Sequence, residues 1–213
     1  HYAVEPEPRD TAGAIKFAAD SAGVDDTFVV ANGDIVTALP IADLVRFHHA
    51  LGREATIHLT PVDDPSSFGV VELSNDRLVR QFVEKPAQGE TSSNLVNAGT
   101  YVVEPSVLDR IPADVPVSVE RVTFPQLVAE GELAGFSTED AGIDTGRPEV
   151  YLKANLAYAD SAGAVVRSQV STSASLSGVV ADGATIEDGA VVRNSVILPG
   201  AVIEADARVD RSL

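Results

Sequence analysis

Apolar and polar positions along the first sixty residues predict two helices and two strands. The run TAGAIKFAADSA consists mainly of good helix formers, and Gly23 follows it, where a helix usually ends. Leu44, Phe47 and Leu51 recur at a spacing of three or four residues, which is the period of one helix face. The predicted order is helix 11–22, strand 27–31, helix 40–50 and strand 55–60. An αβαβ order implies right-handed crossovers and a mostly parallel sheet, so the chain begins as an α/β domain.

After residue 68 the pattern changes to strands that follow one another directly. An SND turn separates two apolar runs, and Gly99 interrupts a third. Pro148 suits the first turn of a further helix. The predicted elements are strands 69–73, 78–84 and 95–103, helices 105–111 and 119–130, strand 133–137 and a helix from 148. We expect all of these in one domain over residues 1–162.

From Gly163 onward the composition shifts to Val, Ser, Ala, Gly and Asp, without any aromatic residue. Apolar residues recur there at steps of mostly six, and an alanine lies four residues after five of them. The leading apolar residues are Val170, Leu176, Val180, Ile186, Val192, Ile197, Ile203 and Val209. This repetition is typical of a left-handed parallel β-helix of hexapeptide repeats, of which 163–213 would form the beginning, about two coils. The alternative, a disordered Ser/Asp/Gly tail, does not keep apolar residues in register.

Charge and composition narrow the classes of partner. The formal net charge of -17 opposes binding to nucleic acid and to anionic membrane surfaces. Three lysines stand against twelve arginines and thirty-two acidic residues, a profile that suits a halophilic proteome and says little about function. Cysteine is absent, which excludes disulfides and thiolate metal sites. No apolar run is long enough to span a membrane and the first residues lack a secretory pattern, so the cytoplasm is the expected location.

Two turn tripeptides carry carboxylates at positions suited to a metal ion. Asp34 ends the tripeptide NGD directly after an apolar strand, where ligands of open α/β folds bind. Asp144 begins the tripeptide DTG after Gly142 and Ile143. One carboxylate from each loop could hold Mg²⁺ against phosphate oxygens. Each tripeptide alone is more often only a turn.

Three further positions suggest a sugar phosphate. Lys85 follows Glu84 at the end of a strand and precedes a proline, and a lysine there is suited to phosphate; the alternative is a surface ion pair. Asn97 offers an amide for a sugar hydroxyl, and Gly99 allows a close approach, although a β-bulge would explain both. The histidines are expected to be structural: His48 and His49 share the polar face of a helix, and His58 alternates within a strand.

The order of these motifs resembles the sugar-1-phosphate nucleotidylyltransferase family, and its mannose-1-phosphate guanylyltransferase branch most of all. The resemblance extends over nearly the whole chain and ends in hexapeptide repeats. The matching stretches are EPEPRDTAGAIKFA, FVVANGDI, FGVVELSNDRLVRQFVEKP, NAGTYVVEPSVLDRIP, SVERVTFPQLVAEGELAGF and GIDTGRPEVYLKAN. It implies a Rossmann-like nucleotidyltransferase domain, truncated at its N-terminus, followed by the left-handed β-helix.

The resemblance also implies roles for individual residues. The substrates would be a sugar 1-phosphate and a nucleoside triphosphate, mannose with GTP being favoured over glucose with UTP or dTTP, and a homo-oligomer would form through the β-helix. The residues implied are Asp34 and Asp144 for Mg²⁺, Lys85 for the sugar phosphate, Gly69, Glu84, Asn97, Gly99 and Thr145 for the sugar, and Thr11, Ala12 and Gly33 for the nucleotide.

The sequence departs from the family pattern at two places, and each departure changes the activity that we expect of the chain. The glycine-rich loop of the form GGxGTRLxPLT is missing, so we expect the chain to be a fragment that is inactive alone. The family usually reads Leu-Gly-Thr-Ala where this chain has Arg9-Asp10-Thr11-Ala12, and the carboxylate of Asp10 could repel a nucleotide. A non-catalytic regulatory paralogue that binds nucleotide sugars therefore stays open. A hexapeptide acyltransferase is a third reading, although it would need a longer prism and a histidine base.

Overall fold

The computed structural model describes residues 2–87, 90–140, 142–162 and 169–213. The chain divides into two compact units, His1–Gly142 and Ile143–Leu213. The domain boundary expected at Gly163 lies outside the described residues.

The first unit contains three α-helices, a 3₁₀-helix, a π-helical turn and seven strands among its described residues. Nearly all of them begin and end within two residues of the positions that the sequence predicts, and α1 ends at Gly23 as expected. The bounds are α1 Asp10–Ala22, β1 Phe28–Ala31, β2 Ile35–Val36, α2 Ile41–Leu51, β3 Ala55–Pro61, β4 Gly69–Leu73, β5 Val79–Glu84, β6 Leu95–Val103, a 3₁₀-helix Pro105–Arg110, a π-helical turn Val119–Thr123, α3 Phe124–Glu130 and β7 Leu133–Ser137.

The main sheet is mixed, so the prediction of a mostly parallel sheet is wrong. Its order is β5-β4-β6-β3-β7, and β1 pairs with β6 as well. β6 runs antiparallel to β1, β3 and β4, and only the β3–β7 pair is parallel. β1 and β3 do run in the same direction, as an αβαβ order requires. The long strand β6 lies between them and separates them, which a local hydrophobic pattern does not reveal.

Helix 119–130 of the sequence prediction is two elements. Residues Val119–Thr123 form a π-helical turn that begins at Ser118, whose hydroxyl accepts from the backbone N–H of Arg121 at 3.2 Å. Pro125 lies in the first turn of α3, where its missing N–H is least costly. Phe124, at the junction, packs its ring against Tyr101 and Phe82.

Among its described residues, the second unit contains one helix, the two-residue strand β8 and a set of short parallel strands. Their bounds are β8 Ile143–Asp144, α4 Pro148–Ala162, β9 Gln169–Val170, β10 Ser175–Val180, β11 Thr185–Ile186, β12 Val191–Ile197, β13 Val202–Ile203 and β14 Arg208–Asp210. β10, β12 and β14 form one parallel ladder, and β9, β11 and β13 form another. Leu176 pairs with Val192, and Val192 with Val209, so each step along this ladder advances sixteen or seventeen residues.

The inward apolar residues of the short strands gather in one cluster. All eight leading residues of the hexad pattern belong to it, and Val180, Ile186, Val192 and Ile197 are buried. The period read from the sequence therefore identifies the inward positions correctly. Among the helices that the structure describes, none has the length and apolar character needed to cross a bilayer.

Candidate functional site

A cleft of about 530 Å³ lies in the first unit between α1 and β1. Its walls are mostly apolar and include the buried Tyr101, and the more exposed polar side chains lie at its rim. The polar residues are Thr11, Asn32, Tyr101 and Glu120; the apolar ones include Ile15, Val24, Phe28, Val30 and Val119. An apolar cavity with a few convergent polar groups is the usual form of a small-molecule site.

The first turn of α1 is held to the π-helical turn at the rim of this cleft. The Thr11 hydroxyl donates to Glu120 Oε2 at 2.8 Å and accepts from the Val119 N–H at 2.8 Å. The Ala12 N–H donates to the Val117 carbonyl at 2.8 Å, so this amide already has a partner. Thr11 is exposed and Ala12 is buried. The Thr11 hydroxyl already has two hydrogen-bond partners, so Thr11 is accessible to a ligand mainly because it is exposed at the rim of the cleft.

Asp10 begins α1 in the left-handed region, with φ of 57°. Asp is one of the few residues besides glycine that tolerate this conformation, which explains how it stands where the family pattern has glycine. Its carboxylate accepts from the Thr11 N–H at 2.7 Å and pairs with Arg121 at 3.0 Å. The charge of Asp10 is thus partly offset, which weakens the expectation that it repels a nucleotide.

The NGD turn lies at the end of β1, as the sequence predicts. The Asn32 N–H donates to the Gly99 carbonyl at 2.9 Å, and Gly33 and Asp34 follow in an exposed turn. Gly99 has φ of 71°, and a Cβ there would lie 2.8 Å from the Asn32 amide nitrogen. Glycine at 99 is therefore required by both the backbone and the close approach of Asn32. Asp34 has interactions of its own within the fold.

The Asn97 side chain lies beside the cleft with both ends of its amide engaged. Its nitrogen donates to the Tyr101 hydroxyl at 3.0 Å, and its oxygen accepts from the Gly99 N–H at 2.9 Å. Burial raises the pKa of Tyr101, while the hydrogen bond from Asn97 opposes this, so the hydroxyl stays protonated. One amide hydrogen and one lone pair of the Asn97 oxygen are left for a ligand, so the predicted sugar contact stays a prediction.

Gly69 and Glu84 lie opposite each other on β4 and β5. A Cβ at Gly69 would lie 2.8 Å from Glu84 Oε2 and 2.7 Å from the Phe82 ring, so the glycine leaves space that the carboxylate uses. Val70 pairs with Val96 across the neighbouring strands, which places Gly69 beside Asn97 in register. The structure therefore brings Gly69, Glu84 and Asn97 to one part of the sheet.

Lys85 is exposed at the end of β5, with φ of 52°. Its N–H donates to the Phe68 carbonyl at 2.9 Å, which fixes the backbone just after the strand. Asp144 and Thr145 belong to the second unit, where Asp144 Oδ1 accepts from the Gly146 N–H at 2.9 Å. The roles of Lys85, Asp144 and Thr145 stay predictions.

Three residues at the cleft were missed by the sequence reasoning. Glu120 was within a quoted stretch, SVERVTF, but nothing in its pattern indicated that a π-helical turn directs it toward Thr11. Tyr101 reads as an ordinary core aromatic of a strand. Asn32 preceded the predicted Gly33 and Asp34, and its polar character at a strand end was a signal that could have included it.

Comparison with known proteins adds to this geometry. A family model described as Nucleotidyl transferase matches residues 1–161. The mannose-1-phosphate guanyltransferase of Hypocrea jecorina is 41% identical over 163 residues, 75% of this chain and 44% of that protein. The Saccharomyces cerevisiae protein of the same name is 39% identical over 163 residues, with the same shares. The chain therefore spans less than half the length of the curated relatives it matches.

Solved structures give a similar result. HddC from Yersinia pseudotuberculosis, crystallised with GMP-PN, is 32% identical, with a TM-score of 0.58 over 70% of this chain and 63% of that one. A putative glucose-1-phosphate thymidylyltransferase from Bacillus anthracis, in complex with a sucrose, has a TM-score of 0.65 at 23% identity, over 75% of this chain and 65% of that one. The second likeness concerns the fold alone.

Proposed function

Because the chain belongs to the nucleotidyl transferase family, we propose that it is part of an enzyme that transfers a nucleotidyl group from a nucleoside triphosphate to a sugar 1-phosphate. The products are a nucleoside diphosphate sugar and pyrophosphate. The main support within the structure is the cleft between α1 and β1, with Thr11, Asn32 and Glu120 at its polar rim.

The reaction needs no covalent link to the protein. An oxygen of the sugar phosphate attacks the α-phosphorus of the triphosphate, a new P–O bond forms, and the bond to the β-phosphate oxygen breaks as pyrophosphate leaves. Catalysis of this kind rests on aligning two anions and offsetting their charge. Since the chain has a net charge of -17, local cations are needed for that purpose.

The sugar phosphate is assigned to the end of the sheet at β4, β5 and β6. Lys85 binds its phosphate, Glu84 accepts hydrogen bonds from sugar hydroxyls, and Asn97 donates through its remaining amide hydrogen. Gly69 and Gly99 leave room for the sugar. The paired register of Gly69 with Glu84 and the hydrogen bond between Asn97 and Tyr101 support this grouping.

The nucleotide is assigned to the first turn of α1, where Thr11 and Ala12 lie, and to Gly33 in the turn after β1. Asp34 and Asp144 are proposed to bind Mg²⁺. Both are exposed carboxylates next to strand ends, and hard oxygen donors of this kind suit Mg²⁺. The bound cation would offset phosphate charge.

Mannose 1-phosphate with GTP is the favoured substrate pair. Its support is the identity of about 40% to proteins named mannose-1-phosphate guanyltransferase. HddC, at 32% identity, was crystallised with a guanine nucleotide analogue, which agrees with a guanine base. Glucose 1-phosphate with UTP or dTTP is the next pair to test.

The second unit is proposed to be the beginning of a left-handed β-helix that joins copies of the protein. Two parallel ladders with steps of sixteen or seventeen residues and a shared apolar cluster support the β-helix. Homo-oligomer formation through this unit is part of the same proposal, because stacked strand edges need a cap or a partner.

The full-length protein tests the proposed reaction. With Mg²⁺, GTP and mannose 1-phosphate, we expect pyrophosphate release at a higher kcat/KM than with glucose 1-phosphate and UTP or dTTP. Asp10, where the family pattern has glycine, keeps the regulatory paralogue as a second candidate. That candidate predicts binding of nucleotide sugars without pyrophosphate release from any pair, and this result would overturn the catalytic proposal.

A further inference from the structure

Two histidines and a glutamate meet at the far end of β1 from Asn32. His48 and His49 lie in the last turn of α2, and Glu104 directly follows β6. One donor atom from each residue lies within 4.8 Å of the others. They line a cavity of about 220 Å³ together with Gly52, Arg53 and Glu54. His48 is buried, at 1% exposure, which corrects the expectation that both histidines share a polar helix face.

The hydrogen bonds of His48 suit one of its ring nitrogens, Nε2, to binding a cation. Its Nδ1 lies 2.9 Å from the Thr56 hydroxyl, and its Nε2 lies 2.8 Å from Glu104 Oε1. In the tautomer whose Nδ1–H donates a hydrogen bond to the Thr56 hydroxyl, the Nε2 lone pair faces the Glu104 carboxylate. Two acceptors at this distance need a proton or a cation between them. A metal-bound imidazole usually donates its other ring N–H to a hydrogen-bond acceptor, and the Thr56 hydroxyl can fill that role here.

The surroundings favour positive charge. The Glu104 carboxylate also accepts from the Thr27 hydroxyl at 2.8 Å, which holds it in place. The last turn of α2 adds the negative end of the helix dipole. Arg53, the cation on the cavity wall, is paired with Glu132 at 3.5 Å.

We propose that His48, His49 and Glu104 bind a borderline divalent cation such as Zn²⁺ at a site separate from the cleft. Two imidazoles and one carboxylate are the donor set of known zinc sites, whereas Mg²⁺ prefers oxygen donors alone. Donors of one zinc ion lie roughly 3 to 4 Å apart, so donor atoms that already lie within 4.8 Å of one another need only a local adjustment. The proposal does not depend on the proposed reaction.

Calorimetric titration of the complete 213-residue chain with ZnCl₂ tests this site. His1 is replaced by alanine in every protein compared, so that the histidine content differs only at position 49. The unaltered site is expected to bind one Zn²⁺ per chain, and His49→Ala to weaken binding at least about tenfold. His49 is exposed, so its loss leaves the fold intact. Asp109→Asn removes an exposed carboxylate five residues beyond Glu104 and should bind Zn²⁺ unchanged.

A second readout is the melting temperature. Zn²⁺ should raise it in the chain with His49 and in Asp109→Asn, because a cation that binds only the folded state stabilises it. In His49→Ala the increase should largely disappear. Absence of saturable binding, or equal affinity in His49→Ala, would refute the site.

Discussion

Asp10 shows how a single residue reconciles the chain with its family pattern. It occupies a left-handed backbone position where the pattern has glycine, and its carboxylate is held by Arg121 and the Thr11 N–H. The residue type alone indicates only an extra negative charge near a nucleotide. The backbone angle and the partner, which together explain why the residue is tolerated, depend on the fold around it.

We expect Asp10→Ala to lower the free energy of unfolding by about 1 kcal/mol more than Asp10→Gly. Both substitutions remove the carboxylate and its bond to Arg121. Glycine, however, adopts φ of 57° without strain, and alanine does not. Urea unfolding of the two variants measures the difference. Equal stability would show that the left-handed conformation is not kept in solution.

His58 makes stability depend on pH. The residue is fully buried in β3, its Nε2 is 2.8 Å from the Thr138 hydroxyl, and burial lowers its pKa below 6.5 despite the opposing charge of Asp140. The unfolded chain therefore takes up a proton near pH 6.5 that the folded chain resists. Stability from this source is complete above pH 6.5 and is lost as pH falls below it.

We expect the free energy of unfolding to fall between pH 7 and pH 5, and to fall less in His58→Gln. Glutamine cannot take up the proton, and it keeps a polar group near Thr138. Glu104 contributes separately, because its lowered pKa costs stability only as pH falls below 4.5. Urea unfolding at several pH values provides the data. The same slope in both proteins would mean that His58 is not the group responsible.

At the scale of elements, hydrophobic periodicity predicted nearly every helix and strand of the first unit. It could not predict which strands pair, because the antiparallel insertion of β6 between β1 and β3 depends on contacts far apart in sequence. The π-helical turn Val119–Thr123 was also read as helix, since a wider turn has the same composition. Glu120 at the cleft was missed for this reason.

The strands of the second unit depend on one bend at Gly178. Its φ is 150°, the register of β10 and β12 shifts there, and a Cβ would lie 2.1 Å from the Ser195 carbonyl oxygen. The hexad pattern placed the apolar residues correctly but did not identify this position. Ser195 is buried, and its hydroxyl donates to the Arg193 carbonyl at 2.7 Å.

We expect Gly178→Ala to destabilise the second unit by more than about 2 kcal/mol, because the clash is with backbone that cannot move aside without breaking the ladder. Gly33→Ala is the matched control for stability, since a Cβ there meets no atom within 4 Å. Hydrogen exchange of amides in β10 and β12 reports on the unit directly. Unchanged protection in Gly178→Ala would contradict the described bend.

For the whole molecule, the net charge of -17 sets an expectation about salt. Self-repulsion between acidic residues destabilises the compact state, and dissolved ions screen it. The melting temperature should rise with KCl and change little beyond about 1 M, where the Debye length is already near 3 Å. Differential scanning calorimetry provides the measurement. A melting temperature that stays level or falls with KCl would exclude repulsion as the dominant effect.

At this scale the sequence could indicate the family, since six motifs occur in order, and the matching family model agrees. The sequence alone predicts the individual site residues less well. Asn97 is predicted to bind sugar because its amide suits a hydroxyl, and the fold also engages that amide with Tyr101 and Gly99. Residue type alone identifies candidate site residues. The hydrogen bonds that limit what these residues can bind depend on the tertiary structure.

Steady-state kinetics of Lys85→Ala in the full-length protein test the central claim most directly. Lys85 is proposed to hold the sugar phosphate, and loss of a cation aimed at reacting phosphate typically costs a factor of about 100 or more. Arg80→Ala removes an exposed cation from the same strand as a control. We predict that kcat/KM for pyrophosphate release falls at least about 100-fold in Lys85→Ala and stays normal in Arg80→Ala. Normal turnover in Lys85→Ala would contradict the account.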